Sequence, residues 1–200
     1  MFDILLRPLK DKVLDPCAKL LGRFLSPHAV TLISLLLGAA SVTAVFYGRL
    51  GAALILWILN RITDGLDGAV ARVTGKSSDI GGYIDIMADF LIYAALPIAF
   101  ALQSPTEGIL TAAAVLLASF YINAGAWMYL SALLEKRGRA STREVTAVTM
   151  PEGLIGGTET VIFFTLFFLL PQYLLILFYI MAALTFVAAA QRMAWALRKL

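Results

Sequence analysis

Six apolar runs limit what this chain can fold into, at about 29–48, 51–72, 82–102, 108–134, 153–170 and 173–195. Most approach the ~20 residues a helix needs to cross ~30 Å of hydrocarbon. With 200 residues, 60% hydrophobic and 14% charged, the chain has too little polar surface for a water-soluble domain. The pattern predicts an all-α polytopic membrane bundle of six transmembrane helices. The connections YGRLG (47–51) and PQ (171–172) are short, so neighbouring spans run antiparallel.

Residues 2–25 (FDILLRPLKDKVLDPCAKLLGRFL) set Leu6, Leu9, Val13, Leu20 and Phe24 among charges at near-helical spacing. This predicts an amphipathic juxtamembrane helix within residues 1–26, lying on the leaflet and divided by Pro8 and Pro16. Cys17, the single cysteine, reads as a small apolar residue on that helix. With no convincing cleavage site, the segment makes a poor signal peptide. Ser26-Pro27 reads as the cap and first residue of the first span, opening one membrane domain over 27–200.

Basic residues predict the orientation. Arg7, Lys10, Lys12, Lys19 and Arg23 precede the first span, and Arg61, Arg72 and Lys76 lie around the second junction. Lys136, Arg137, Arg139 and Arg143 follow in the fourth connection, then Arg192, Arg198 and Lys199 near the last residue, and only Arg49 belongs to the opposite side. Both termini are expected in the cytoplasm. The formal charge of +3 and pI near 9.1 suit basic loops beside anionic lipid rather than nucleic acid. Residues 135–152 read as a cytoplasmic loop and a mobile lid.

Four carboxylates interrupt the apolar pattern: Asp64, Asp67, Asp85 and Asp89. Each costs roughly 2.5–3.5 kcal/mol at the centre of a membrane helix, so each needs a partner. Asp64, Asp67, Gly68, Ala71 and Arg72 share one face of the second helix by spacing, and Gly81, Asp85 and Asp89 share one face of the third. Counting ~1.5 Å per residue brings all four acids to a common level, roughly 6–12 Å below the cytoplasmic boundary. They are expected to meet around one centre. An all-carboxylate set suits Mg²⁺, Mn²⁺ or Ca²⁺ rather than zinc or copper, and Arg72 could bind phosphate. A salt-bridged polar seam would explain Asp–Arg pairing but leaves four acids against one arginine.

The pattern D-x2-D-G-x2-A-R-x8-G-x3-D-x3-D is present without a gap as Asp64, Asp67, Gly68, Ala71, Arg72, Gly81, Asp85 and Asp89. It resembles the signature of the CDP-alcohol phosphatidyltransferases, integral membrane enzymes of phospholipid synthesis. The resemblance implies that Asp64, Asp67 and Asp85 hold Mg²⁺ or Mn²⁺, as two ions, on the pyrophosphate of a CDP-linked lipid. Asp89 would share the metal centre and act as general base on an acceptor hydroxyl, with CMP leaving. Gly68, Ala71 and Arg72 would bind CDP, with Ser78, Thr31 and Asn60 as further candidates. One departure is visible: Pro27-His28 stands where many relatives have Pro-Asn, and His28 is either a nucleotide contact or an interfacial residue. The family also implies a homodimer.

The expected donor is CDP-diacylglycerol, with CDP-choline or CDP-ethanolamine as alternatives. The acceptor is expected to be a neutral or zwitterionic small alcohol. The fourth span lacks a basic residue before Lys136, its mid-depth polar group is Asn123, and the fifth carries the acid Glu159. Arg192 and Arg143, expected near the surface, could still reach an anionic acceptor such as glycerol 3-phosphate or inositol phosphate. Two other classes compete: a divalent-cation transporter, which could use intramembrane carboxylates without this signature, and an inactive lipid-binding scaffold, disfavoured because no motif position is lost.

Overall fold

The computed structural model describes residues 14–137 and 153–200. It is all-α in these residues: α1 (14–21), α2 (Pro27–Phe46), α3 (Leu50–Val73), α4 (Asp79–Gln103), α5 (Glu107–Lys136), α6 (Gly157–Leu169) and α7 (Leu174–Lys199), with a 3₁₀ turn at Pro171–Tyr173. By length and composition α2, α4, α5 and the segment Pro171–Lys199 can each cross a membrane. The protein is a multi-pass membrane helical bundle. Leu6, Leu9, Val13, Arg139, Arg143 and most of the 135–152 loop lie outside the described residues.

The described residues divide into two compact units, one ending at Thr106 and the other running from Glu107 to Leu200. In the first, α2 packs against both α3 and α4. Ser26 caps α2 by accepting from the Ala29 N–H at 3.3 Å, with Pro27 in the first turn, as the sequence predicted. Small and polar residues bring the helices close. The Ser41 hydroxyl donates to the Ala53 carbonyl at 2.8 Å, and the Asn60 amide donates to the Ser34 carbonyl at 2.8 Å. A Cβ on Gly38 would lie 2.7 Å from Ile92 Cδ1, so glycine is what lets α2 approach α4. The turn between α2 and α3 needs a left-handed residue, supplied by Gly48 at φ +70°.

The short helix α1 packs on α3. Ala18 lies against Ala69 and Val70, with Leu14, Leu21, Leu66 and Val73 around them. Leu20 on α1 and Phe24 just after it stand 59% and 79% exposed, as apolar residues free to meet lipid do.

In the second unit α5 packs against α7, and α6 against α7 as well. Its core is aromatic: Phe164 stands 5.2 Å from Phe167, which meets Phe178 edge-on at 4.9 Å. The fifth apolar run becomes a helix only at Gly157, four residues later than its hydropathy suggests. Glycines explain the delay. Gly153 lies against Arg192, where a Cβ would come within 2.9 Å of the guanidinium, and Gly156 forms the N-cap.

Candidate active site

All the signature residues lie in the first unit, on α3 and on the start of α4. Asp67 is 5% exposed, and its Oδ2 accepts from the Thr31 hydroxyl at 2.7 Å. A hydroxyl is a neutral donor and brings no counter-charge to this carboxylate. Thr31 also donates to the Pro27 carbonyl at 3.1 Å, which ties the first turn of α2 to the site.

Asp64 and Asp89 are linked by a residue that sequence reasoning left at the membrane junction, Arg61. It stands halfway along α3 with its side chain 11% exposed, not in a basic loop. Its guanidinium donates to Asp89 Oδ1 at 2.9 Å and lies 3.7 Å from Asp64 Oδ2. Its Nε donates to Asn60 Oδ1 at 2.8 Å. The spacing did hold the signal, because Arg61 precedes Asp64 by three residues and so shares its helix face.

Among the described residues, no three His, Cys, Asp or Glu side chains come together closely enough to hold a metal ion. The four acids were expected to surround one centre. The structure joins Asp64 and Asp89 through a guanidinium, and Asp67, held by Thr31, lies within electrostatic range of both. The donor chemistry fits a hard divalent ion: all four are carboxylates, and the side-chain donor to the buried Asp67 is a neutral hydroxyl.

The other candidates occupy defined places. Gly68 faces Arg72, whose Nη1 would lie 3.5 Å from a Cβ there, and Ala71 sits half-buried on the same helix. Arg72 itself is exposed near the last turn of α3. Ser78 is the N-cap of α4, accepting from the Gly81 N–H at 3.1 Å, and His28 reaches the same glycine, 3.5 Å from a Cβ placed there. Asn60 is buried between Ser34 and Arg61.

In the second unit the structure brings Asn123 and Arg192 together, with the guanidinium donating to the Asn123 side-chain carbonyl. Arg192 is 4% exposed, and its Nε has no hydrogen-bond partner among the described residues. Glu159 stands in the first turn of α6 and accepts from the Gly156 N–H at 3.0 Å, so it serves as a helix cap. The helix begins at Gly157, which puts Glu159 two residues after its start. Arg143 lies outside the described residues.

The described helices form a membrane bundle with the signature acids on α3 and α4. The sequence profile of the CDP-alcohol phosphatidyltransferases matches residues 24–191, and the chain belongs to that enzyme family. It is 32% identical to the inner membrane protein YnjF of Escherichia coli (strain K12) over 176 residues, 86% of this chain and 84% of that protein. Its fold is similar to the crystal structure of Mycobacterium tuberculosis phosphatidylinositol phosphate synthase with CDP-DAG bound, at a TM-score of 0.71, 20% identity and 92% coverage of both chains. The same enzyme in complex with manganese and citrate matches at a TM-score of 0.69 and 21% identity, over 90% of this chain and 86% of that one.

Proposed function

We propose that the protein transfers a phosphatidyl group from CDP-diacylglycerol to the hydroxyl of a small alcohol and releases CMP. The observation that carries this reading is the ungapped signature from Asp64 to Asp89 on α3 and α4, with Asp67 buried beside Thr31. Asp64, Asp67 and Asp85 hold Mg²⁺ or Mn²⁺, with Asp89 as a further ligand. Bound there, the metal supplies charge neutralisation on the pyrophosphate. Asp89 takes the proton from the acceptor hydroxyl as its oxygen attacks the lipid-linked phosphorus. Gly68, Ala71 and Arg72 line the CDP, with Ser78, Thr31 and Asn60 supporting that region.

In this reading residues 27–200 form one domain with all six apolar helices crossing the bilayer, α3 and α6 included. Both termini and the active site face the cytoplasm, and residues before 27 lie along the leaflet. The protein works as a homodimer among membrane lipids. Light scattering of the detergent-solubilised protein tests the dimer, and a monomer would remove it.

The acidic fifth span favoured a neutral or zwitterionic acceptor from sequence. A second reading, an acceptor bearing its own phosphate, is supported by the buried Arg192 beside Asn123, whose Nε has no partner among the described residues. Glu159, occupied at the α6 cap, opposes it less than its charge alone suggested. A CMP-release screen with CDP-diacylglycerol tests both readings. Turnover with serine or inositol alone supports the first, and turnover with glycerol 3-phosphate or inositol phosphate alone supports the second. EDTA should abolish turnover, with Mg²⁺ or Mn²⁺ restoring it and Zn²⁺ restoring it poorly. Full activity after rigorous chelation, or metal flux without CMP release, would sink the transferase reading.

A further inference from the structure

An arginine halfway along a membrane helix is expensive unless something holds it. Arg61 is held on every side. The Trp57 and Tyr93 rings lie 4.8 and 5.1 Å from its guanidinium carbon, within cation–π range. Its Nη1 donates to the Tyr93 hydroxyl at 2.7 Å and to Asp89 Oδ1 at 2.9 Å, while Nε donates to Asn60. Asn60 is itself fixed, because its amide donates to the Ser34 carbonyl and hydroxyl at 2.8 and 2.9 Å. A guanidinium stays protonated in proteins. The cage therefore holds a permanent positive charge between two carboxylates of the signature.

The position has two consequences. Backbone packing joins α2 to α3 and α2 to α4, whereas α3 reaches the Asp89 carboxylate of α4 through the Arg61 side chain. With Oδ1 engaged, Asp89 keeps Oδ2 to accept a proton or a metal bond. A divalent ion on Asp64 or Asp89 must also share that carboxylate with a fixed cation, and like charges at this range repel.

We propose that Arg61 is a positioning residue that fixes the Asp89 carboxylate of α4 against α3 and, as a permanent cation between Asp64 and Asp89, weakens divalent-ion binding at that edge of the site. The inference rests on the reading of these carboxylates as metal ligands. A purely structural arginine makes the opposite prediction for metal binding, because its loss would loosen the site and lower affinity.

The test uses the full chain in detergent, with Mn²⁺ binding followed by electron paramagnetic resonance in the absence of lipid substrate. Arg61→Met keeps the apolar stem between the rings and removes the charge. It should bind Mn²⁺ about threefold or more tightly than the parent, because the competing cation is gone. Its kcat should fall about tenfold or more, as expected for a displaced base, with KM for CDP-diacylglycerol changed less than about twofold. Arg61→Lys retains the charge without the planar fork, so Mn²⁺ affinity should stay near the parent's while kcat still falls.

Unchanged or weaker Mn²⁺ binding by folded Arg61→Met, or an undiminished kcat in either variant, overturns the proposal. Should Arg61→Met not fold, Arg61→Lys decides the question by the same kcat criterion. A parent protein that binds no Mn²⁺ removes the metal reading underneath, and that failure is distinguishable because it appears before any substitution.

Discussion

Asp67 and Thr31 form the smallest unit of the site. A carboxylate this buried accepts from a neutral hydroxyl on Oδ2, so an arriving cation would favour its ionised form. Thr31→Val keeps the shape and removes the donor, which should cost ~1–3 kcal/mol in the metal-free protein. The loss should appear as a lower thermal unfolding midpoint in detergent and should shrink on adding Mn²⁺. An equal loss with and without metal would separate Asp67 from the ion. Asp89→Asn keeps the shape but removes the base, so turnover should fall ~10²–10⁴-fold while the CDP-lipid still binds. A variant retaining about a tenth of the activity or more would show that Asp89 is not that base. The acids of this site were legible in the sequence because their spacing is fixed by helix geometry. Arg61 was not recognised, since its charge suited a cytoplasmic junction as well as a buried cage, and it is the contacts with Trp57, Tyr93, Asn60 and Asp89 that distinguish the two.

Among the elements, hydropathy located each apolar helix but not where it begins. α6 illustrates the reason. Leu154, Ile155 and the glycines around them are apolar enough to read as helix, yet the Leu154 N–H donates to the Gln191 side chain at 2.9 Å and the helix waits for Gly157. Contacts from a distant part of the chain set that boundary, and no local pattern carries them. Glu159→Ala should therefore lower thermal stability by ~0.5–2 kcal/mol, as for a lost N-terminal cap, and leave the acceptor KM unchanged. A raised KM would return Glu159 to the acceptor site. The α2–α4 contact offers a sharper test. Gly38→Ala places a methyl 2.7 Å from Ile92 Cδ1 and 3.1 Å from Asn60 Nδ2, an overpacking worth ~1–3 kcal/mol. Gly51→Ala meets nothing within 4 Å and should be neutral or slightly stabilising. Equal effects at the two glycines would mean that helix propensity, not close approach, governs this pair.

At the scale of the whole molecule, the family match over 24–191 runs through both compact units, so the chemistry on α3 and α4 belongs to a chain whose second half matches the family too. The hairpin of α2 and α3 also bears on how such a chain is made. α2 is apolar enough to enter a bilayer by itself, whereas α3 carries Arg61, Asp64, Asp67 and Arg72 and falls outside the segments that qualify on composition. The buried bonds from Ser34 to Asn60 and from Ser41 to Ala53 join the two through a tight turn at Gly48. The proposed crossing of α3 therefore calls for α2 to remain at the insertion machinery until α3 can leave with it. Fused alone to a glycosylation reporter, α3 should integrate poorly, and restoring α2 with its turn should rescue integration. The helix that carries these charges thus reaches lipid under the escort of its predecessor.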